Sequence, residues 1–146
     1  MEARIGKTIS QIAVGDEAYC AKTLTETDMM LFAGITGDLN QLPINEQFAR
    51  KTRYGQRVAH GMLTASFVTN ILGMKLPGFG TVMRSFKVRF TAPVFLNDTV
   101  EVGIRVSATN VADNTVTFDT WAVNQQGQTV MQGSCIVAPP RKIEHD

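Results

Sequence analysis

Residues 59–73 read AHGMLTASFVTNILG. From Met62 to Leu72 apolar side chains fall on nearly every side of a helical wheel, which predicts a buried helix rather than an amphipathic surface one. Such a helix needs other elements around it, and the sequence downstream supplies strands. In VMRSFKVRFTAPV the residues Phe86, Val88 and Phe90 alternate with Ser85, Lys87, Arg89 and Thr91, the period of a strand with one face turned inward. Pro93 ends or bends that strand at an edge. Val100, Val102, Ile104 and Val106 then alternate with Glu101, Gly103 and Arg105. TVTFDTWAVN and QTVMQGSCIVA flank NQQGQ, a hairpin turn in which Gly127 is free to take positive φ.

Upstream, LTETDMMLFAGITGDLN predicts a helix with Thr25 or Thr27 as N-cap, Met29, Phe32, Ala33 and Ile35 as its apolar stripe, and Gly37 as its stop. NEQFARKTRYG predicts a short helix capped by Asn45 and ended by Gly55, and EAYCAKT predicts one more strand. The order is strand, helix, short helix, long buried helix, then a run of antiparallel strands. That order describes an α+β class, with the sheet wrapped around the apolar helix. No repeat or linker interrupts the 146 residues, so a single domain over 1–146 is expected.

Hydrophobic residues make up 44% and charged ones 18%, the balance of a chain that buries a core. The formal net charge is +1 and no basic stripe carries interleaved aromatics, so nucleic acid is not an expected partner. The opening MEARIGKTISQIAVGDE lacks the apolar run of a signal peptide, and no later run is long enough for a bilayer. A cytoplasmic protein with no membrane partner is expected. Cys20 and Cys135 lack metal-ligand spacing, and His60 and His145 are the only histidines. Neither a metal nor another cofactor is expected.

Three further segments carry a resemblance. FAGITGDLN is similar to a helix running into a GDxNPxH turn, VAHGMLTAS to an AHGML segment, and FTAPVFLNDTV to an FxxPVxxGDxV strand pair. In that order and spacing they resemble the MaoC-like dehydratases, the (R)-specific enoyl-CoA hydratases of the hot-dog fold, over roughly residues 10 to 138. The resemblance implies a long helix gripped by an antiparallel sheet and a homodimer, or a multiple of it, whose sheets join edge to edge. It also implies a hydro-lyase of fatty acid metabolism acting on an enoyl thioester of coenzyme A or acyl carrier protein.

Hydration of a trans-2-enoyl thioester needs a base for water, an acid for the α-carbon and donors for the enolate-like oxygen. By the resemblance, Asp38 is the base and Asn40 is the motif asparagine, which orients the water or fixes the loop. At position 41 Gln replaces the usual proline, and at position 43, where the motif has its histidine, stands Pro43. Proline has no group that titrates. Read without the resemblance, Asp38 is a turn carboxylate that caps neighbouring N–H groups.

The backbone N–H of Gly61 is assigned to the thioester oxygen, at a helix start where the dipole favours negative charge; otherwise Gly61 is only a tight turn. His60 is grouped with the substrate-binding residues. Its imidazole either bonds to backbone or supplies the missing ring from another direction. Thr69, where the family often carries serine, is grouped with the substrate-binding residues too; it helps fix the aspartate or the loop, or bonds back to its own helix turn. Loss of the turn histidine leaves two rivals to a weakened hydratase: an acyl-CoA-binding hot-dog protein without turnover, and an acyl-CoA thioesterase.

Overall fold

The alternating segments pair as their period demands. The computed structural model describes residues 3–143; His145, to which the sequence assigns no role, lies outside them. Five strands form one antiparallel sheet: β1 (Glu17–Thr23), β2 (Val82–Phe90), β3 (Thr99–Asn110), β4 (Thr115–Val123) and β5 (Thr129–Ala138), in the order β1-β3-β4-β5-β2. Val100, Val102, Ile104 and Val106 of β3 join Val116 and Phe118 of β4 and Val130 and Val137 of β5 in one buried cluster. Each large aliphatic side chain buried there contributes about 1.5–3 kcal/mol. Gly103, on the opposite side of β3, pairs with Trp121, and a Cβ at Gly103 would lie 2.5 Å from the indole. Glycine there is required by the ring.

The long helix α4 (Gly61–Met74) lays Leu63, Ala65, Val68, Ile71 and Leu72 into the same cluster. It is buried on a broad face rather than all round, since Met62, Thr69, Asn70 and Met74 are exposed. One sheet covers only the side of the helix that it faces, and the wheel of apolar residues does not say which side that is. Phe90 likewise is exposed rather than inward, because it ends an edge strand that among the described residues has β5 alone as neighbour.

Helix α1 (Glu26–Thr36) begins with a reciprocal cap. The Thr25 hydroxyl accepts from the Asp28 N–H at 3.2 Å, and the Asp28 carboxylate accepts from the Thr25 N–H at 2.9 Å. Gly37, at φ 76°, ends the helix as expected. Met29 and Ala33, one turn apart, face the core, whereas Ile35 is 83% exposed; the stripe is narrower than its apolar content suggests.

Two short helices follow, where the sequence led us to expect one. Helix α2 (Gln41–Ile44) forms inside the polar turn because the Asn40 side-chain oxygen accepts from the Leu42 N–H at 3.0 Å. Helix α3 (Glu46–Arg50) is capped by Asn45 as expected but stops at Arg50, well before Gly55. Among the described residues no helix is long and apolar enough to cross a membrane.

Candidate active site

The C-terminal end of α1, the turn after it, and the N-terminal end of α4 meet around one cavity of about 650 Å³. Asp38, Asn40, Pro43, His60 and Gly61 all line it, so sequence positions spread from 38 to 61 share one wall.

The turn is held from inside. Asp38 donates its N–H to the Thr36 hydroxyl at 3.1 Å and accepts the Asn40 N–H on Oδ1 at 3.0 Å. Oδ2 accepts no hydrogen bond among the described residues, and the side chain is 52% exposed. The side-chain oxygen of Asn40 is spent on capping α2.

The turn is also held from below. Arg57 is buried, and its Nε donates to the Pro43 carbonyl at 2.8 Å while Nη1 meets Glu26 Oε1 at 2.8 Å. One guanidinium therefore ties the first turn of α1 to α2. Sequence reasoning missed this residue, since a single arginine between Gln56 and Val58 carries no periodic signal.

His60 is the N-cap residue of α4, yet its side chain does not cap the helix. The ring instead packs on Phe32 with centroids 4.9 Å apart and turns Nε2 toward Asp38, 3.4 Å from its carbonyl oxygen and 3.7 Å from Oδ2. Nδ1 is buried and has no partner among the described residues. With the cap position empty of side-chain acceptors, the Gly61 N–H finds none among the described residues, and Gly61 lines the cavity. The helix dipole adds to its attraction for negative charge.

Gly61 also borders a second cavity of about 400 Å³ lined by Tyr54, Thr64, Phe90 and Pro93. A Cβ at Gly61 would meet the Phe90 ring at 3.0–3.2 Å. A substituent there would press on the Phe90 ring, which lines the second cavity.

Thr69 is not brought to this site. It donates to the Ser66 carbonyl at 2.7 Å and borders a separate cavity of about 200 Å³ with Leu72 and Met83. Ser66 lines the main cavity in its stead, its hydroxyl donating to the Leu63 carbonyl at 2.6 Å. A cavity of about 650 Å³ at the other end of α4 presents Arg4, Lys7, Lys75 and Lys142 but neither carboxylate nor imidazole, so acid–base chemistry points to the first. Among the described residues no group of three His, Cys, Asp or Glu is placed to hold a metal ion.

Residues 11–132 match the family described as MaoC like domain. The chain is 37% identical over 131 residues to an (R)-specific enoyl-CoA hydratase of Rhodospirillum rubrum, covering 90% of each protein. It is 35% identical to a 3-hydroxybutyryl-CoA dehydratase of Methylorubrum extorquens, over 92% of this chain and 85% of that one. Among solved structures it superposes on an (R)-hydratase from A. caviae with a TM-score of 0.86 at 30% identity, over 88% of this chain and 98% of the other. The R-hydratase PhaJ1 from Pseudomonas aeruginosa gives a TM-score of 0.89 at 30% identity, over 97% and 92%.

Proposed function

Because the chain belongs to the MaoC-like dehydratase family, with its hot-dog fold, we propose that it is a hydro-lyase that adds water to a trans-2-enoyl thioester or removes it from a 3-hydroxyacyl thioester. The observation that carries this reading is that Asp38 and Gly61, whose N–H is unengaged among the described residues, line one cavity. Asp38 Oδ2 takes a proton from water as its oxygen bonds to C3. The π electrons move toward the thioester, and the negative charge that collects on its oxygen meets the Gly61 N–H at the start of α4. Asn40 keeps Asp38 in place through its own N–H. Thr69 enters only as a brace on the helix turn that carries Ser66.

The substrate carrier in this reading is coenzyme A or acyl carrier protein, supported by relatives named for both. The protein acts as a single hot-dog domain, which the one continuous sheet supports. It assembles as a homodimer through the free edge of β2, whose nine residues have no second neighbour strand among the described residues and where Val82 and Phe90 stay exposed. The cytoplasm is its proposed location, where the two free cysteines suit a reducing compartment.

The test follows trans-2-enoyl-CoA substrates of increasing chain length with wild-type protein. The expected product is a 3-hydroxyacyl-CoA of R configuration with its thioester intact. Release of free coenzyme A would indicate a thioesterase, and binding without any turnover would indicate an acyl-CoA-binding protein.

A further inference from the structure

We infer that His60 supplies the imidazole that the turn lacks, making Asp38 and His60 the acid–base pair of this site. The inference rests on the hydro-lyase reading above. Pro43 stands five residues after Asp38, buried with its carbonyl bound to Arg57, and offers no proton. Of the described residues lining the cavity, Asp38 and His60 are the only two that carry a carboxylate or an imidazole. Both face the same space, and the chemistry requires two proton-exchanging groups.

The geometry suits a shared water. His60 Nε2 and Asp38 Oδ2 are 3.7 Å apart, too far for a good direct hydrogen bond, and a water to one side of the pair can contact both at about 2.8 Å. Asp38 Oδ1 is already engaged by the Asn40 N–H, so Oδ2 is the oxygen that faces the imidazole. Nδ1 is sealed and without a partner, so proton exchange runs through Nε2. The ring is 5% exposed and pinned against Phe32, which fixes that nitrogen before substrate arrives.

Protons and electrons balance over the cycle. Asp38 Oδ2 takes a proton from water, the water oxygen bonds to C3, and the C2–C3 π bond breaks toward the thioester oxygen. The Nε2–H of His60 then gives its proton to C2 as the thioester carbonyl re-forms. Asp38 returns its proton to Nε2, and the net change is one water added.

His60→Gln keeps a donor near the position of Nε2 but cannot pass on a proton. Its kcat for crotonyl-CoA hydration should fall by about 10²-fold or more while KM and the melting temperature change little. Adding Pro43→His to that variant should restore turnover by at least roughly tenfold. A His60→Gln kcat within about fivefold of wild type, with Asp38→Asn still inactive, would overturn the inference and leave the hydro-lyase reading standing. Should His60→Gln fail to fold, Pro43→His alone decides. A gain below about fivefold supports a working His60, and a larger gain shows that the imidazole was missing. A wild-type protein that hydrates no enoyl thioester would instead remove the hydro-lyase reading itself.

Discussion

Replacing Arg57 by lysine should loosen the site from beneath. The guanidinium is 6% exposed and serves two partners at once, the Pro43 carbonyl at 2.8 Å and Glu26 at 2.8 Å. A lysine ammonium is a point charge and cannot reproduce that fork. Loss of a hydrogen bond from a charged donor to a carbonyl costs about 1.5–3 kcal/mol. Glu26 is 64% exposed, so its half of the arrangement adds only ~0–1 kcal/mol. The expected loss is therefore roughly 1.5–4 kcal/mol, or about 3–16 °C in melting temperature for a chain of this size. Glu26→Gln should shift the melt by less than about 4 °C. The carbonyl that Arg57 holds belongs to the turn carrying Asp38, so hydration measured well below either melt should drop by roughly 10–10²-fold in Arg57→Lys and hardly at all in Glu26→Gln. Thermal melts and initial rates on the three proteins suffice. Equal losses from Arg57→Lys and Glu26→Gln, or an Arg57→Lys melt that overlays wild type, would refute this reasoning.

Gly61→Val should cost about 1–3 kcal/mol of stability, because its Cβ crowds the Phe90 ring and that ring can swing outward. Turnover should fall by about 10²–10³-fold, well beyond what the stability loss explains, and unchanged kinetics in a folded variant would reduce Gly61 to a turn residue. Burial works against ionisation of Asp28, but the Thr25 N–H, the Lys22 ammonium and the Thr25 hydroxyl outweigh it and hold its pKa below the ordinary 3.8. A lowered folded pKa contributes stability that is present above the unfolded value and lost as pH falls through the folded one. The urea midpoints of wild type and Asp28→Asn should thus differ at neutral pH and converge below pH 3.8, while a constant gap would contradict the assignment. Light scattering at micromolar concentration should give twice the 16.0 kDa chain mass or a multiple of it, and a monomer would remove the β2-edge dimer.

What the sequence made legible follows from the range of the forces involved. Strand alternation is local, and it placed Val100, Val102, Ile104 and Val106 on the buried face correctly. The caps at Thr25 and Asn45 and the stop at Gly37 are equally local, because each bonds or turns within a few residues. Ile35 and Met62 were misjudged since apolar character does not reveal which side of a helix a single sheet covers. Helix α2 was hidden by its length, four residues with a proline third, where only the Asn40 cap marks a helix at all. Asp38, Asn40 and Gly61 became site candidates through the family resemblance rather than through periodicity. The approach of His60 to Asp38 spans 22 residues and the Arg57–Glu26 pair 31, and no local pattern encodes either. Thr69 sits on the correct helix but opens onto a different cavity.

The most direct test is the initial rate at which crotonyl-CoA loses its conjugated enoyl group, measured with wild-type protein and with Asp38→Asn under the same conditions. Wild type should convert it to 3-hydroxybutyryl-CoA without releasing coenzyme A. Asp38→Asn, whose amide cannot take a proton from water, should be slower by about 10²–10⁴-fold while remaining folded. Hydration that continues at the wild-type rate in Asp38→Asn would contradict the assignment of this carboxylate as the base.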